Sequence, residues 1–365
     1  TRGHQTLSEA STVKLDTLKD ITFPFANKRQ GQSELMKATY LTMKANSILY
    51  AIAPTGIGKT MATIFSTLKS MTKPNEKLFY LTAKTIGREV AIDSFRMLQN
   101  EGLKLHAIVI SSKAKSCASK MQHCDPEKCS FAKGYFSRLR QAIEDIYTNE
   151  ILYNQETIMK YALKYNICPF EYSLDLSYFC DAIICDYNYV FDPKAHLIRY
   201  FEDTEYQPKI LCDESHNLVE RSKDMYSAEF DSLLPLRIEE KISSYDKTIT
   251  KNIRHFYDEL KKYDDLVNKD LFYYSHLLDD LMLSSLKQIV QKAELVLADN
   301  KEIKDRDEIL TDYFLLKDFV DTAEFFGQSH MFVVKKIEDN HFQIEIKCAD
   351  ASDFIYDTVK NKTKG

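Results

Sequence analysis

The sequence lacks any apolar run near the roughly 18 to 20 residues a membrane-spanning helix needs, which argues against a transmembrane protein. It opens TRGHQTLSEAST, without an initiator methionine and without the basic start and apolar stretch of a signal peptide. The chain therefore reads as a piece cut from a longer protein, and a secreted product is disfavoured. No internal repeat or low-complexity tract is present, which excludes solenoid and linker-dominated architectures. Between Pro235 and Gly327 there is no glycine or proline at all. Nor is there an excess of basic charge, since the net charge is -5. What remains is 44% hydrophobic and 28% charged residues in 365, the profile of a globular protein with two or three compact units.

Five short apolar runs have strand length: 47–53 (SILYAIA), 77–83 (KLFYLTA), 105–111 (LHAIVIS), 181–186 (DAIICD) and 208–214 (PKILCDE). Helical spacing separates them, as in MATIFSTLKSM and IGREVAIDSFRML. Buried strands alternating with helices predict an α/β fold with a parallel sheet covered on both faces. Two segments break the rhythm. Residues 112–170 hold a cysteine cluster with helix-like runs, and the segment from about 225 to 328 predicts an all-α insertion, with Met282, Leu286, Ile289, Ala293 and Val296 on one helix face. Phe342, Ile344, Ile346 and Cys348 then alternate with polar residues after Asp339-Asn340, predicting a β-hairpin.

APTGIGKT, Ala53 to Thr60, lies between a predicted strand and a predicted helix, the setting of a phosphate-binding loop. Pro54 opens the loop, in which backbone N–H groups of Thr55, Gly56, Ile57 and Gly58 wrap phosphates, Lys59 reaches the β and γ phosphates, and Thr60 holds magnesium. The strict pattern wants glycine at Ala53. The acidic partner is ILCDESHN, Ile210 to Asn217, in which Asp213 anchors Mg²⁺ and Glu214 orients the attacking water.

Together APTGIGKT and DESHN resemble motifs I and II of superfamily 2 helicases, with Ser215 the one departure from a DEAH box. The resemblance implies that His216 couples nucleotide to DNA binding. It also implies adenine recognition by Arg29, Gln30 and Gln32, and DNA-backbone contacts by Thr82, Lys84 and Thr85 of YLTAKT.

Eight cysteines without a secretory signal suggest thiols, a metal site or a cluster rather than disulfides. Cys117, Cys124 and Cys129 crowd one stretch, and Cys168, followed by proline, comes later. Only the 124/129 pair has the tight spacing usual for zinc, and cysteine before proline is how iron-sulfur ligand runs end. A zinc site, with His123 as a substitute ligand, and four structural thiols without metal both stay open. Cys180, Cys185, Cys212 and Cys348 lie on apolar strands and read as core. From Ser111 to Arg140 seven basic residues face two acidic ones, a possible phosphate footprint with Lys133 and Arg138 beside Tyr135 and Phe136. Tyr187, Tyr189 and Phe191 in DYNYVFDP are candidates for stacking on bases, and Asn188 for ordering a loop.

Motif I, the four cysteines, CDPEKCSFAKGYFSRL, CPFEYSLDL, ICDYNYVFDP and DESHN closely resemble the XPD/DinG family of iron-sulfur DNA helicases, in wording nearest to bacterial DinG-like members. The resemblance implies a RecA-like motor domain (residues 21–111 and 171–224) after an N-terminal arm (1–20). It implies a cluster domain at 112–170, a helical arch at 225–328, and a hairpin at 329–365 returning to the motor. It further implies ATP, Mg²⁺ and a 4Fe-4S cluster held by Cys117, Cys124, Cys129 and Cys168. The implied activity is 5′ to 3′ translocation on single-stranded and forked DNA by a monomer in the bacterial cytoplasm, at the nucleoid. The family's second motor domain, with motifs IV to VI, has no counterpart in this sequence, so the piece is expected to turn ATP over poorly. Two other readings are a DNA-binding or redox-regulatory fragment without motor activity, and an RNA-directed ATPase.

Overall fold

The computed structural model describes residues 14–365 apart from 55, 120–123, 125–127, 195–196, 198, 203–204, 268–270, 300–302 and 364. Thr55 and His123, both singled out above, lie outside the described residues. The chain divides into two compact units, one of residues 1–218 with 354–365 and one of residues 219–353.

The first unit is built on a parallel sheet of β1 (Glu76–Leu81), β2 (Ala107–Val109), β3 (Leu152–Tyr153), β4 (Ala182–Cys185) and β5 (Gln207–Cys212), in the order β3-β2-β4-β1-β5. The four apolar runs from 77 onward all contribute a strand, and the two-residue β3 is an addition that no apolar run announces. β1 is buried at every position, as a central strand covered on both faces must be. Its neighbours in register are β4, with Leu81 opposite Cys185, and β5, with Leu81 opposite Cys212. This pairing brings the ends of β1 and β5 side by side, where the site lies.

Helices α1 (Gln32–Lys44), α2 (Lys59–Ser70), α3 (Thr85–Asn100), α4 (Tyr135–Asn149), α5 (Gln155–Tyr165) and α6 (Pro169–Leu176) lie in this unit. Met61, Ile64 and Leu68 of α2 are buried at helical spacing, in one core cluster with Leu78 and Tyr80 of β1 and Phe95 of α3. The expected strand at 47–53 does not form. Its residues are irregular, with Tyr50 87% and Ile52 105% exposed. An apolar run becomes a strand only beside a free ladder, and at β5 the Ile210 N–H donates instead to the Gly365 carbonyl, at 2.8 Å.

The second unit is not all-α. Beside the helices α8 (Leu234–Ile242), α9 (Ile249–Leu260), α10 (Asp280–Asp299) and α11 (Arg306–Thr322), which follow α7 (His216–Met225), it holds an antiparallel sheet. That sheet contains β6 (Ala228–Asp231), β7 (Phe272–Ser275), β8 (His330–Glu338) and β9 (His341–Cys348), in the order β6-β9-β8-β7. The hairpin forms as expected, turning at Asp339-Asn340 with Asn340 left-handed at φ 58. Its two strands lie in this unit, whereas residues 354–365, the rest of the expected returning segment, fall in the first. Phe230, Phe332, Phe342, Ile344 and Ile346 form one face of the sheet and share a core with Phe256 of α9, Met282 and Ile289 of α10 and Phe319 of α11. The two missed strands are short, and β6 spells AEFD, too brief for its alternation to stand out from a helical pattern. Among the described residues no helix is long and apolar enough to cross a membrane.

Candidate nucleotide site and cysteine segment

The loop before α2 takes its shape from two glycines. Gly56 and Gly58 have φ of 86 and 79, the left-handed region where a side chain is strained. At Gly58 a Cβ would also lie 2.6 Å from Gln32 Nε2. Gln32, buried at the start of α1, explains that closeness: its Oε1 accepts from the Arg29 N–H at 3.1 Å, and its Nε2 donates to the Gly58 carbonyl at 3.5 Å. The Arg29 guanidinium donates to the Gly56 carbonyl. Arg29 and Gln32 thus bind the loop itself, while Gln30 is exposed beside them. Lys59 Nζ donates to the Ala53 carbonyl at 3.0 Å across the loop. Pro54 is exposed and Ile57 half-buried.

The acidic segment is held from two sides. The Asp213 N–H continues the β1–β5 ladder to the Leu81 carbonyl, at 2.9 Å. The Tyr187 hydroxyl donates to the carbonyls of Asp213 and Glu214, the latter at 3.1 Å. Glu214 takes φ 51, a left-handed conformation uncommon for its residue type. His216 Nδ1 lies 3.6 Å from Glu214 Oε2.

Between loop and acidic segment stands Tyr80 of β1. Its hydroxyl donates to Thr60 Oγ1 at 3.3 Å and lies near the Asp213 carboxylate. Burial raises the Asp213 pKa above the ordinary carboxylate value, aided by the Glu214 charge, while the Tyr80 hydroxyl and the Lys59 charge oppose the rise. Burial and the Asp213 charge push the Tyr80 phenol upward, so it keeps its proton. Gly87, in the first turn of α3, presses on the same carboxylate: a Cβ there would lie 2.9 Å from Asp213 Oδ2 and 2.5 Å from Thr82 Oγ1. Lys59, Thr60, Asp213 and Glu214 are therefore one site.

Several expected DNA contacts need correction. Thr82 is buried, its hydroxyl 3.4 Å from the Lys84 N–H, whereas Lys84 and Thr85 are exposed. Tyr187 is fully buried under the acidic loop and cannot stack on a base. The Tyr189 hydroxyl donates to the Ser111 carbonyl at 3.1 Å, and Phe191 is buried. Asn188 does order its loop, its N–H donating to Asp186 Oδ1 at 3.1 Å. Tyr135 is buried, donating to Asp175 Oδ2 at 2.7 Å, and only its neighbour Phe136, 82% exposed, faces outward. Arg138 is spent on the carbonyls of Lys133 (2.7 Å), Asn166 (2.8 Å) and Ser130 (3.4 Å), leaving Lys133 as the exposed cation. Nothing in a one-dimensional pattern distinguishes a tyrosine that stacks from one whose hydroxyl has an internal partner.

None of the eight cysteines is joined in a disulfide. Cys180, Cys185 and Cys348 are buried and Cys212 nearly so, its thiol pushed up to about 12 by burial, as core residues should be. Cys117, Cys124, Cys129 and Cys168 form no ready centre: among the described residues no group of three or more His, Cys, Asp or Glu could hold a metal ion. Links between their segments exist. Asn166 Nδ2 donates to the Ser130 carbonyl at 3.2 Å, next to Cys129 on one side and near Cys168 on the other. Burial works against the charge of Lys113, but its hydrogen bond to Cys124 and the neighbouring Cys124, Glu171 and Cys168 raise its pKa. Burial raises the Cys168 thiol, and Cys117 Sγ is 3.2 Å from Ser119 Oγ.

Residues 98–233 match the DEAD_2 family. The XPD helicase subunit of the general transcription and DNA repair factor IIH from Dictyostelium discoideum is 28% identical over 145 residues, 40% of this chain and 17% of that protein. The regulator of telomere elongation helicase 1 homolog from Aedes aegypti is 30% identical over 124 residues, 33% of this chain and 11% of that protein. The chain thus matches less than a fifth of the length of either relative. A solved XPD helicase superposes with a TM-score of 0.58 at 17% identity, over 93% of this chain and 57% of the other. A truncated XPD gives 0.53 at 15% identity, over 91% of each chain. In fold over most of its length, and in sequence over residues 98–233, the chain is similar to XPD-type superfamily 2 helicases.

Proposed function

We propose that the chain is the nucleotide-binding part of an ATP-dependent DNA helicase that moves 5′ to 3′ along single-stranded and forked DNA as a monomer. The observation that carries this reading is the convergence of Lys59, Thr60 and Asp213 through Tyr80, with Glu214 next in line. Lys59 supplies the positive charge for the β and γ phosphates, and the N–H groups of the loop wrap them. Thr60 and Asp213 offer oxygen donors only, the set that suits magnesium. When bound, that ion neutralises charge developing on the transferred phosphoryl group. Glu214 accepts the hydrogen bond of the attacking water and turns it in line, and His216, 3.6 Å away, steadies that carboxylate. Lys84, Thr85, Lys133 and Phe136 are the exposed residues available to DNA.

The same reading assigns Cys117, Cys124, Cys129 and Cys168 to a 4Fe-4S cluster. Their chemistry fits: four thiols outside any disulfide, with the Lys113 ammonium beside Cys124 and Cys168 to offset thiolate charge. A cluster there would staple residues 112–170 together.

The test is DNA-stimulated ATP hydrolysis by the intact protein, with Lys59→Ala and Glu214→Gln as controls and unlabelled DNA or RNA strands as competitors. Loss of turnover in both variants supports the site, and full turnover in either refutes it. Preferential competition by RNA would transfer the reading to an RNA-directed ATPase.

A further inference from the structure

Glu214, the residue read above as turning the attacking water, has its backbone at φ 51, where a residue with a side chain is uncommon. Such a conformation persists only where its surroundings hold it. Two rigid peptide planes decide it: rotation of the plane carrying the Asp213 carbonyl sets φ of Glu214, and rotation of the plane carrying the Glu214 carbonyl sets ψ. Both carbonyl oxygens converge on the Tyr187 hydroxyl, which donates to Asp213 and, at 3.1 Å, to Glu214. A carbonyl can only accept, so the direction of both bonds is fixed and one phenolic proton is shared between them. The Glu214 carbonyl also accepts from the Asn217 N–H at 2.9 Å and from Asn217 Nδ2 at 3.0 Å, in the first turn of α7. Those two bonds reach one plane, and the Tyr187 hydroxyl reaches both. Tyr187 is itself firmly seated. It is fully buried two residues beyond β4, and its carbonyl accepts from the N–H groups of Val190 at 3.0 Å and Phe191 at 2.9 Å. Because β1 separates β4 from β5 in the sheet, the phenol reaches past the end of β1 to the loop that follows β5.

We propose that Tyr187 is a positioning residue for ATP hydrolysis: its hydroxyl holds the Glu214 backbone left-handed and so fixes where the Glu214 carboxylate stands relative to the water it turns. The proposal rests on the nucleotide-site reading above and adds to it a residue that lies in neither motif. Without the hydroxyl, two carbonyls lose a donor and Glu214 is free to relax toward the conformations its residue type prefers. One hydrogen bond of this kind is worth about 10-fold in the population of the competent arrangement.

The experiment compares wild type, Tyr187→Phe, Glu214→Gln and the double variant of the intact protein. It measures kcat and KM for DNA-stimulated ATP hydrolysis, with radiolabelled ATP for the residual rates, and the affinity for a fluorescent, slowly hydrolysed ATP analogue. Tyr187→Phe removes one oxygen and keeps the ring in the core. The expected result is a fall of about 10-fold in kcat with KM and analogue affinity unchanged. On the Glu214→Gln background the same change should cost nothing further, because Tyr187 acts through Glu214. If Glu214→Gln loses turnover and Tyr187→Phe keeps it, the proposal fails while the nucleotide site stands. If Glu214→Gln keeps full turnover, the site reading fails and the proposal with it. An equal fall in kcat and analogue affinity, a full further loss on the Glu214→Gln background, or failure of Tyr187→Phe to fold would mark Tyr187 as structural only and overturn the proposal.

Discussion

The proposed nucleotide site and the cysteine segment belong to one unit but are held in opposite ways. Every group of the first hangs on a core element: Tyr80 on the fully buried β1, Asp213 at the end of β5, and Thr60 on a helix whose apolar face is packed away. The second is held by side-chain bonds to carbonyls near the surface, such as Arg138 and Asn166 to Ser130, and its four sulfurs do not close a centre by themselves. One site is preorganised by burial. The proposed cluster, if bound by the four thiolates, would make metal binding part of the folding of the other.

This contrast can be broken most forcefully at the nucleotide site. Lys59→Ala or Glu214→Gln in the intact protein should lower DNA-stimulated ATP hydrolysis by about 10²- to 10³-fold or more, the scale of removing one preorganised electrostatic contact. Iron content should stay the same, and an iron-free Lys59→Ala protein would mean the two sites are not separate. In the reverse experiment, protein purified without oxygen should be brown, and Ser in place of Cys117, Cys124, Cys129 or Cys168 should remove the iron and the unwinding activity. Nucleotide affinity should hardly move, and protease sensitivity should rise within residues 112–170. A colourless wild type carrying stoichiometric zinc would replace the cluster by a zinc site.

Gly87→Ala sharpens the contrast at lower amplitude. Alanine gains about 1 kcal/mol of helix propensity over glycine. The new Cβ, 2.9 Å from Asp213 Oδ2 and 2.5 Å from Thr82 Oγ1, costs about 1–3 kcal/mol of overpacking. The two nearly cancel, so the melting temperature should shift only slightly while ATP turnover falls as Asp213 is pushed aside. A variant with wild-type turnover would show that the carboxylate has room to move.

The smallest effect concerns pH. Lys77, buried at the start of β1, donates to the carbonyls of Ser177 and Tyr178, and burial lowers its pKa to about 8. Between about 8 and the unfolded value of 10.5 the unfolded chain holds the extra proton, so this group's contribution to stability rises with pH across that window. Denaturant unfolding of wild type and Lys77→Met at several alkaline pH values should differ in slope there. Parallel curves would place the Lys77 proton elsewhere.

The sequence pointed to the proposed nucleotide site because phosphate binding needs particular residue types at consecutive positions, as APTGIGKT and DESHN have, and the structure brings Lys59, Thr60 and Asp213 near one another. Most of the parallel sheet was legible for a simpler reason: strands buried on both faces must be apolar throughout. The unread parts depend on partners distant in the chain. SILYAIA has the composition of a strand but no ladder to join, and AEFD becomes one only because β9 lies beside it. Thr82, Tyr135 and Tyr187 have residue types that suit nucleic acid, yet each hydroxyl is turned inward. Tyr80 went unnoticed between Phe79 and Leu81 because an apolar strand conceals its one polar atom.

The second unit begins and finishes on neighbouring strands: Ala228 of β6 faces Ile346 of β9, and the Cys348 N–H donates to Ser227 Oγ at 2.9 Å. Such a cassette presents the rest of the chain with two adjoining attachment points, whatever lies between them. Loop-closure entropy then registers a short gap rather than more than a hundred residues. Lengthening, trimming or exchanging the helices from α8 to α11 should leave the parallel sheet free to fold. Residues 219–353 are correspondingly the stretch whose length the fold of the first unit should tolerate best.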